Sequence, residues 1–419
     1  MPLILGKSSV YLEGRRTNVR QQETNFGNLS ADANLWYAKQ LDSTVEVSLK
    51  NGGGIRNSIG AVSALGVPGI TAANPSAGTP PGKLAGDVSR LDLEDSLKFN
   101  NQLTLFTVTA SELKLLLEHA VAGSNGTGAA NNSPGQFCQL GGIQVVADLA
   151  ETPVSFTSAA NIISAVNGGT RIRYAALLNS AGVATEVLIS NGIVLNPSRL
   201  VRMVTLNFLV NGAGGSDFGG DNYPFPYISR LSSVESRLDL ITDGSANAYN
   251  LATSTLPTPP AQGAGSEQDA FAEYMLAFHA STAFNKADTI VGLDRRILQG
   301  TTDSDADGFS NALEVASLGL DPDVANTSSQ VNAALANLRI VGRTDVTSNP
   351  SAFSLYTAGS IQDLRGTGNL LIQASGANVE ITLPVQKSTT LGDWEPAGDL
   401  ELTFPKTEDK EFYRLALPQ

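Results

Sequence analysis

Arg20 and Arg56 are the first residues whose setting suggests chemistry. Arg20 precedes ETNFGNLSADANLWYAKQL, which reads as a loop feeding an amphipathic helix, and Arg56 closes the run Asn51-Gly52-Gly53-Gly54-Ile55. A strand that ends in glycines exposes backbone N–H groups, and a guanidinium beside them adds a bidentate charge. Together these can grip a phosphate or a carboxylate. The same residues also read as a glycine turn flanked by surface arginines. Phe99 in LKFNNQL and Phe208 in TLNFLVNG carry two readings as well. Two rings can sandwich a planar base, but taken alone each reads first as a core residue. Asp221, in the glycine-rich GGDNYPF, is either a carboxylate for the two hydroxyls of a ribose or the anchor of an Asx-turn.

A second constellation is DSDADGFSNALE. Asp303, Asp305 and Asp307 alternate with other residues, Gly308 follows, Phe309 offers a carbonyl, and Asn311 and Glu314 complete the set. This spacing suits a calcium loop: oxygens at alternate positions, a glycine for the sharp turn, and a bidentate glutamate to close. The bland alternative is an acidic linker. The preceding GLDRRILQGTT has no helical apolar stripe, so a paired sensor EF-hand is not expected. With the GLDPD that follows, the loop resembles the calcium-stabilised linker repeats of thrombospondin type 3, which implies a stiffening role between domains.

Composition limits what else the chain can do. It has 419 residues, 42% hydrophobic and 16% charged, which excludes wholesale disorder. Forty acidic against 27 basic residues give a net charge of -13. That charge argues against a nucleic-acid partner or an anionic membrane surface, though a local basic pocket can still hold a nucleotide. The single cysteine, Cys138, excludes an intrachain disulfide and any zinc site needing two cysteines. With two histidines, His119 and His279, an imidazole-rich binuclear metal centre cannot be assembled from these residues. Both histidines read as structural or surface groups. No run approaches the roughly 18 apolar residues of a membrane span. The opening MPLILGKSSVYLEG has neither the apolar length nor the cleavage site of a signal peptide, and reads as a strand entered mid-domain.

The elements that must position these residues alternate between strand and helix. Val45, Val47 and Leu49 alternate with polar residues, the pattern of a half-buried strand leading into the glycines. A helix is expected from Thr109, where Thr109 and Glu112 form a capping box, Leu113, Leu116, Leu117 and Ala120 make an apolar stripe, and Gly123 stops it. Strands are expected over 142–148, 171–177, 186–189 and 200–208, and a second helix over 268–279. The segments 62–82 and 253–265, dense in Pro, Gly, Ala and Ser, read as loops or linkers. The tail alternates at 370–375, 379–385, 400–404 and 411–417, which suggests strands with Trp394, Phe404 and Phe412 as core candidates.

In order along the chain, RQQETNFGNLSADA, SLKNGGGIRNSI, LKFNNQLTLFTVTASELKLLLEHAV, GQFCQLGGIQVVADL, TLNFLVNG with GGDNYPF, and SEQDAFAEYM leading to LDRRI resemble the C-terminal domain of the 5'-nucleotidase family. The resemblance spans roughly residues 8–298. It implies that Phe99 and Phe208 clamp a nucleobase, Asn51 contacts the base, and Asp221 holds the ribose. Arg20 and Arg56 would face the phosphate, and Gly141 and Gly142 would line the pocket where backbone approaches the ligand. It also implies an extracellular or periplasmic setting. Catalysis in the family belongs to an upstream metallophosphoesterase domain with two divalent metals, whose GNH and GHxH motifs do not occur in this sequence.

The sequence departs from the family pattern in places. Lys98 stands where a proline usually precedes the first clamp phenylalanine, and 62–82 is an insertion. The segment between Asn211 and Gly219 is long, and Asp217 competes with Asp221 for the ribose role. The expected architecture is α+β: a mixed α/β nucleotide-binding domain over 1–299, a calcium-binding linker over 300–326, and a small antiparallel β domain over 338–419. Three functions stay open: the specificity part of a nucleotidase, a non-catalytic secreted calcium-stabilised binder of nucleotides or glycans, or a structural chain.

Overall fold

The computed structural model describes residues 3–62, 72–78, 80–124, 134–232, 234, 236–240, 264–289, 294–299, 309–310, 314, 318, 320, 325–336, 344, 371–375, 378–388 and 395–405. The chain divides into two compact units, Met1–Asp345 and Val346–Gln419.

Two five-stranded sheets frame the first unit. One has the order Leu238–Asp239, Leu103–Thr109, Leu200–Leu206, Val47–Asn51, Cys138–Gly141. The other runs Ile193–Val194, Ala184–Ser190, Ile172–Leu178, Ile143–Ala147, Ile297–Gln299. Each mixes directions: 200–206 lies parallel to 47–51 and 297–299 parallel to 143–147, while the remaining pairs are antiparallel. The mixed α/β reading of this region therefore holds.

The helices are α1 (Arg16–Val19), α2 (Asn25–Leu41), α3 (Arg90–Ser96), α4 (Ala110–Ala122), α5 (Asn207–Val210), α6 (Phe225–Leu231) and α7 (Glu267–His279), and a further helix covers 328–336. α4 forms for the reasons its sequence suggests. Thr109 Oγ1 accepts from Glu112 N at 3.2 Å, and Glu112 Oε2 accepts from Thr109 N at 2.7 Å. Leu113, Leu116, Leu117 and Ala120 are buried, and Gly123 caps the end. α2 packs on α7 around an edge-to-face contact of Phe26 and Phe271, ring centroids 5.6 Å apart.

The strand over 47–51 differs from the half-buried expectation, because all five residues are buried. It is an interior strand, and the alternating polar residues face a helix rather than water. Lys50 reaches Glu267 of α7, Nζ to Oε2 2.9 Å, with both side chains fully buried. Periodicity alone cannot show that a buried lysine has a buried partner more than 200 positions away. The hairpin of Ser155–Ala159 and Ile162–Asn167 has no counterpart in the sequence pattern, since its residues are mostly exposed and leave little apolar alternation. At the start of 62–82, the strand Ala61–Val62 pairs antiparallel with Ala72–Ala73 inside the segment. The 253–265 segment lies outside the described residues apart from Ala264 and Gly265.

In the second unit, Leu371–Ser375, Asn378–Lys387 and Glu395–Pro405 form an antiparallel meander. Phe404, expected in its core, is 37% exposed. It alternates along an 11-residue strand that is exposed almost throughout. Trp394, Phe412 and the expected strand at 411–417 lie outside the described residues.

Candidate functional site

Three glycines at the end of the 47–51 strand turn the chain in one short 3-10 turn, Gly52–Gly54. Gly52 has to be glycine: a Cβ there would lie 1.8 Å from the carbonyl oxygen of Val19. That close approach brings the end of α1, and with it Arg20, against the turn. Gln139 fastens the same connection. Its Nε2 donates to the carbonyls of Val19 (3.0 Å) and Gln22 (2.8 Å), and its Oε1 accepts from Thr24 N, the cap of α2.

Beside this turn is a cleft of about 170 Å³ lined by Arg20, Asn51, Gly53, Gly54, Arg56, Phe99, Asn101, Phe208 and Asp221. Six residues singled out from the sequence therefore meet, although they come from separate segments. Phe99 and Phe208 are 58% and 43% exposed, so neither is a core residue. The Arg56 guanidinium lies over the Phe99 ring, 5.4 Å from its centroid, a cation–π contact that orients both groups. Phe208 sits in α5 with its ring against Gly220, where a Cβ would come within 2.3 Å.

Asp221 is held from several sides. Its carboxylate accepts from Asn51 Nδ2 at 2.5 Å, and its backbone carbonyl lies 3.0 Å from His119 Nε2. A Cβ on Gly53 or Gly135 would come within 2.9 and 2.7 Å of the carboxylate. Asp221 and Asn222 both adopt left-handed backbone, φ 49° and 59°. Asn51 Oδ1 is buried and has no hydrogen-bond partner among the described residues. Burial lowers the basicity of Arg20, and the nearby charges of Arg16 and Arg56 lower it further, while Asp221 acts in the opposite sense. The cleft is thus a concentration of positive charge beside two exposed rings and one fixed carboxylate.

Asp217, the competitor for the sugar role, is engaged elsewhere. It accepts from Arg230 Nε (2.8 Å) and Nη2 (2.7 Å) and from Ile163 N (2.7 Å). Arg230 holds its carboxyl below the usual range. Gly141 and Gly142 do not line the cleft. Gly141 packs on the Ala31 carbonyl of α2, and Gly142 (φ +75°) crosses the Glu46 carbonyl, so their glycine requirement comes from strand–helix packing. Asn101 lines the cleft, and Gly135 and His119 pack against Asp221 behind it; sequence reasoning assigned none of the three to the site. Asn101 follows Phe99 by two positions, which was a usable signal. Its N and Nδ2 both donate to Glu267 Oε1 at 3.1 Å.

Of the expected calcium ligands, Phe309 and Glu314 are described, and Asp303, Asp305, Asp307 and Asn311 lie outside the described residues. Glu314 is fully buried, and its Oε1 accepts from Asn326 Nδ2 at 2.8 Å. Among the described residues no group of three or more His, Cys, Asp or Glu could hold a metal. None of their helices is long and apolar enough to cross a membrane.

Residues 4–219 match the family described as 5'-nucleotidase, C-terminal domain. The chain is 31% identical to human 5'-nucleotidase over 154 residues, 36% of this chain and 22% of that protein. It is 28% identical over 149 residues to the trifunctional nucleotide phosphoesterase protein YfkN of Bacillus subtilis (strain 168), 36% of this chain and 8% of that protein. Among solved structures, the 5'-nucleotidase precursor from Thermus thermophilus aligns with a TM-score of 0.44 at 19% identity, covering 71% of this chain and 39% of that one. The matched part of the chain spans less than a quarter of the length of either curated relative.

Proposed function

The chain belongs to the 5'-nucleotidase C-terminal domain family, and from that membership we propose that its cleft grips a nucleoside monophosphate as the substrate-binding part of a nucleotide phosphohydrolase. The observation that carries the reading is the meeting of Arg20, Asn51, Arg56, Phe99, Phe208 and Asp221 on one cleft. The two rings hold the base, the Asp221 carboxylate accepts the ribose hydroxyls, and the arginines face the phosphate. Burial first, and then the charges of Arg16 and Arg56, lower the basicity of Arg20, and a phosphate dianion offsets the charge that Arg16 and Arg56 place beside it. The unpartnered Asn51 Oδ1 supplies an acceptor for a donor on the ligand.

In this reading the hydrolytic step belongs to a metallophosphoesterase domain upstream of these residues, where two divalent metals supply an activated water. This chain contributes binding energy that orients the phosphoester. We also assign calcium to Asp303, Asp305, Asp307, Phe309, Asn311 and Glu314, and an extracellular or periplasmic location to the protein. A non-catalytic binder of the same ligands is the second reading. Both readings leave the two histidines in structural roles, His119 meeting the Asp221 carbonyl and His279 Nδ1 the Thr282 carbonyl.

Calorimetric titration with AMP and adenosine tests the binding reading. Saturable heat that Phe208→Ala diminishes is the expected result, and no heat from either ligand refutes it. An in-frame metallophosphoesterase segment upstream of the Met1 codon selects the hydrolase reading, and its absence selects the binder.

A further inference from the structure

We propose that His119 is a positioning residue of the cleft, holding the backbone of Asp221 so that its carboxylate stays aimed at the sugar subsite. The proposal rests on the nucleotide reading above and adds a residue to it. His119 lies in the last turn of α4, is 5% exposed, and does not line the cleft. A carbonyl oxygen can only accept, so the 3.0 Å contact with Asp221 O requires the tautomer protonated at Nε2. Burial pushes the ring's pKa below the ordinary histidine value, and the Asp221 carbonyl and carboxylate act against that effect.

The turn that carries Asp221 needs such a hold. Asp221 and Asn222 are consecutive non-glycine residues in the left-handed region, a conformation that persists only where surrounding contacts over-determine it. Those contacts converge on α4. Tyr223 Oη donates to Gln136 O at 2.6 Å, and Gln136 Nε2 donates to His119 O at 3.1 Å. The Tyr223 ring meets the His119 ring edge-on, centroids 4.8 Å apart, with Phe156 at 5.9 Å on another side. The carboxylate has little slack, being confined by Gly53 and Gly135 and bonded to Asn51. A small rotation of the Asp221 peptide therefore breaks the Asn51 bond or drives the carboxylate into a glycine backbone.

Two variants of the full chain separate the donor from the ring. His119→Phe keeps an aromatic ring against Tyr223 and Phe156 but has no N–H. His119→Gln keeps a donor at similar reach and loses the ring. Calorimetry with adenosine and 2',3'-dideoxyadenosine reads the sugar preference, and thermal melting confirms that each variant is folded. The wild-type chain should prefer adenosine. His119→Phe should lose about tenfold for adenosine, with dideoxyadenosine changed by less than about twofold, and His119→Gln should retain the preference. A preference kept in His119→Phe, or lost in both variants, overturns the proposal. A wild-type chain with no preference, indifferent to Asp221→Asn, overturns the ribose reading itself and this inference with it.

Discussion

Asn51 Nδ2 donates to the Asp221 carboxylate at 2.5 Å, joining the end of a central strand to a turn 170 positions later. The bond leaves the other carboxylate oxygen free of Asn51 and fixes the amide with Oδ1 as an acceptor. Asp221→Ala should weaken adenosine binding by about 10- to 150-fold, the range for a lost hydrogen bond to a charged group. Asn51→Ala removes both the hold on that carboxylate and the Oδ1 acceptor facing the ligand, so it should weaken adenosine binding as well. Calorimetry on both variants ranks them, and equal affinity for Asp221→Ala and wild type contradicts a sugar role.

The clamp phenylalanines should separate binding from stability. Stacking on an aromatic ring is worth about 1–3 kcal/mol per base, so Phe99→Ala and Phe208→Ala should each lose about 5- to 150-fold in AMP affinity. Both side chains are substantially exposed, so melting should stay close to wild type. A large fall in the melting temperature with no change in affinity assigns the rings to packing instead.

The sequence disclosed this cleft because its parts are local. NGGGIR and the GGD turn stand out within a few residues, whereas the two phenylalanines read first as core residues and enter the site through the family resemblance. α4 was equally legible, because a capping box, a stripe and a terminal glycine all lie within one helix. Contacts between distant segments were not. The alternation at 45–49 reads as a strand with one wet face, yet Lys50 is buried because Glu267 neutralises it. Gly141 and Gly142 look like ligand-approach glycines, yet helix and strand backbones occupy the space beside them. Phe404 alternates like a core residue and stands exposed on a long strand. His119 shows the same limit, since nothing near LLEHAV points to a carbonyl 102 positions away.

The Lys50–Glu267 pair gives a stability prediction. Both side chains are fully buried, and Glu267 Oε1 also holds Asn101 of the cleft. Removing one partner leaves a buried charge alone, which costs about 3–5 kcal/mol. Lys50→Met should therefore destabilise strongly, while Lys50→Met with Glu267→Gln, which removes the charge but keeps an acceptor for Asn101, should recover much of the loss. Denaturant midpoints give the comparison. A double variant as unstable as the single one shows that the pair does more than neutralise itself.

Calcium should stabilise the chain through the 303–314 loop. A ligand bound only by the folded form raises stability with its concentration. Millimolar calcium should therefore raise the melting temperature, EDTA should lower it, and Glu314→Gln should abolish most of the difference. Identical melting curves with calcium and with EDTA rule out a folded-state site.

Stability should fall as pH rises from about 4 towards 9, because burial raises the pKa of several acids. Burial, with the nearby charges of Glu23 and Asp288, pushes Asp294 up to about 9. Asp288 rises to about 7, chiefly by burial, and Glu273 rises to about 8 through burial and the Asp269 charge. In the unfolded chain such groups titrate near about 4. Between the two values the folded chain holds a proton that the unfolded chain has released. Each group therefore costs at most about 1.4 kcal/mol per pH unit over its window, and its effect levels off above the folded value. Below about 4 both states are protonated and the full stabilisation is present. Asp294→Asn keeps an acceptor for the Thr289 hydroxyl, which donates to Oδ1 at 2.8 Å, and cannot ionise. Urea midpoints at pH 5 and pH 9 should converge for this variant relative to wild type, with the gain appearing at pH 9. Parallel pH profiles for the two proteins mean that Asp294 is ionised in the fold, and that a cation or donor beyond the described residues compensates it.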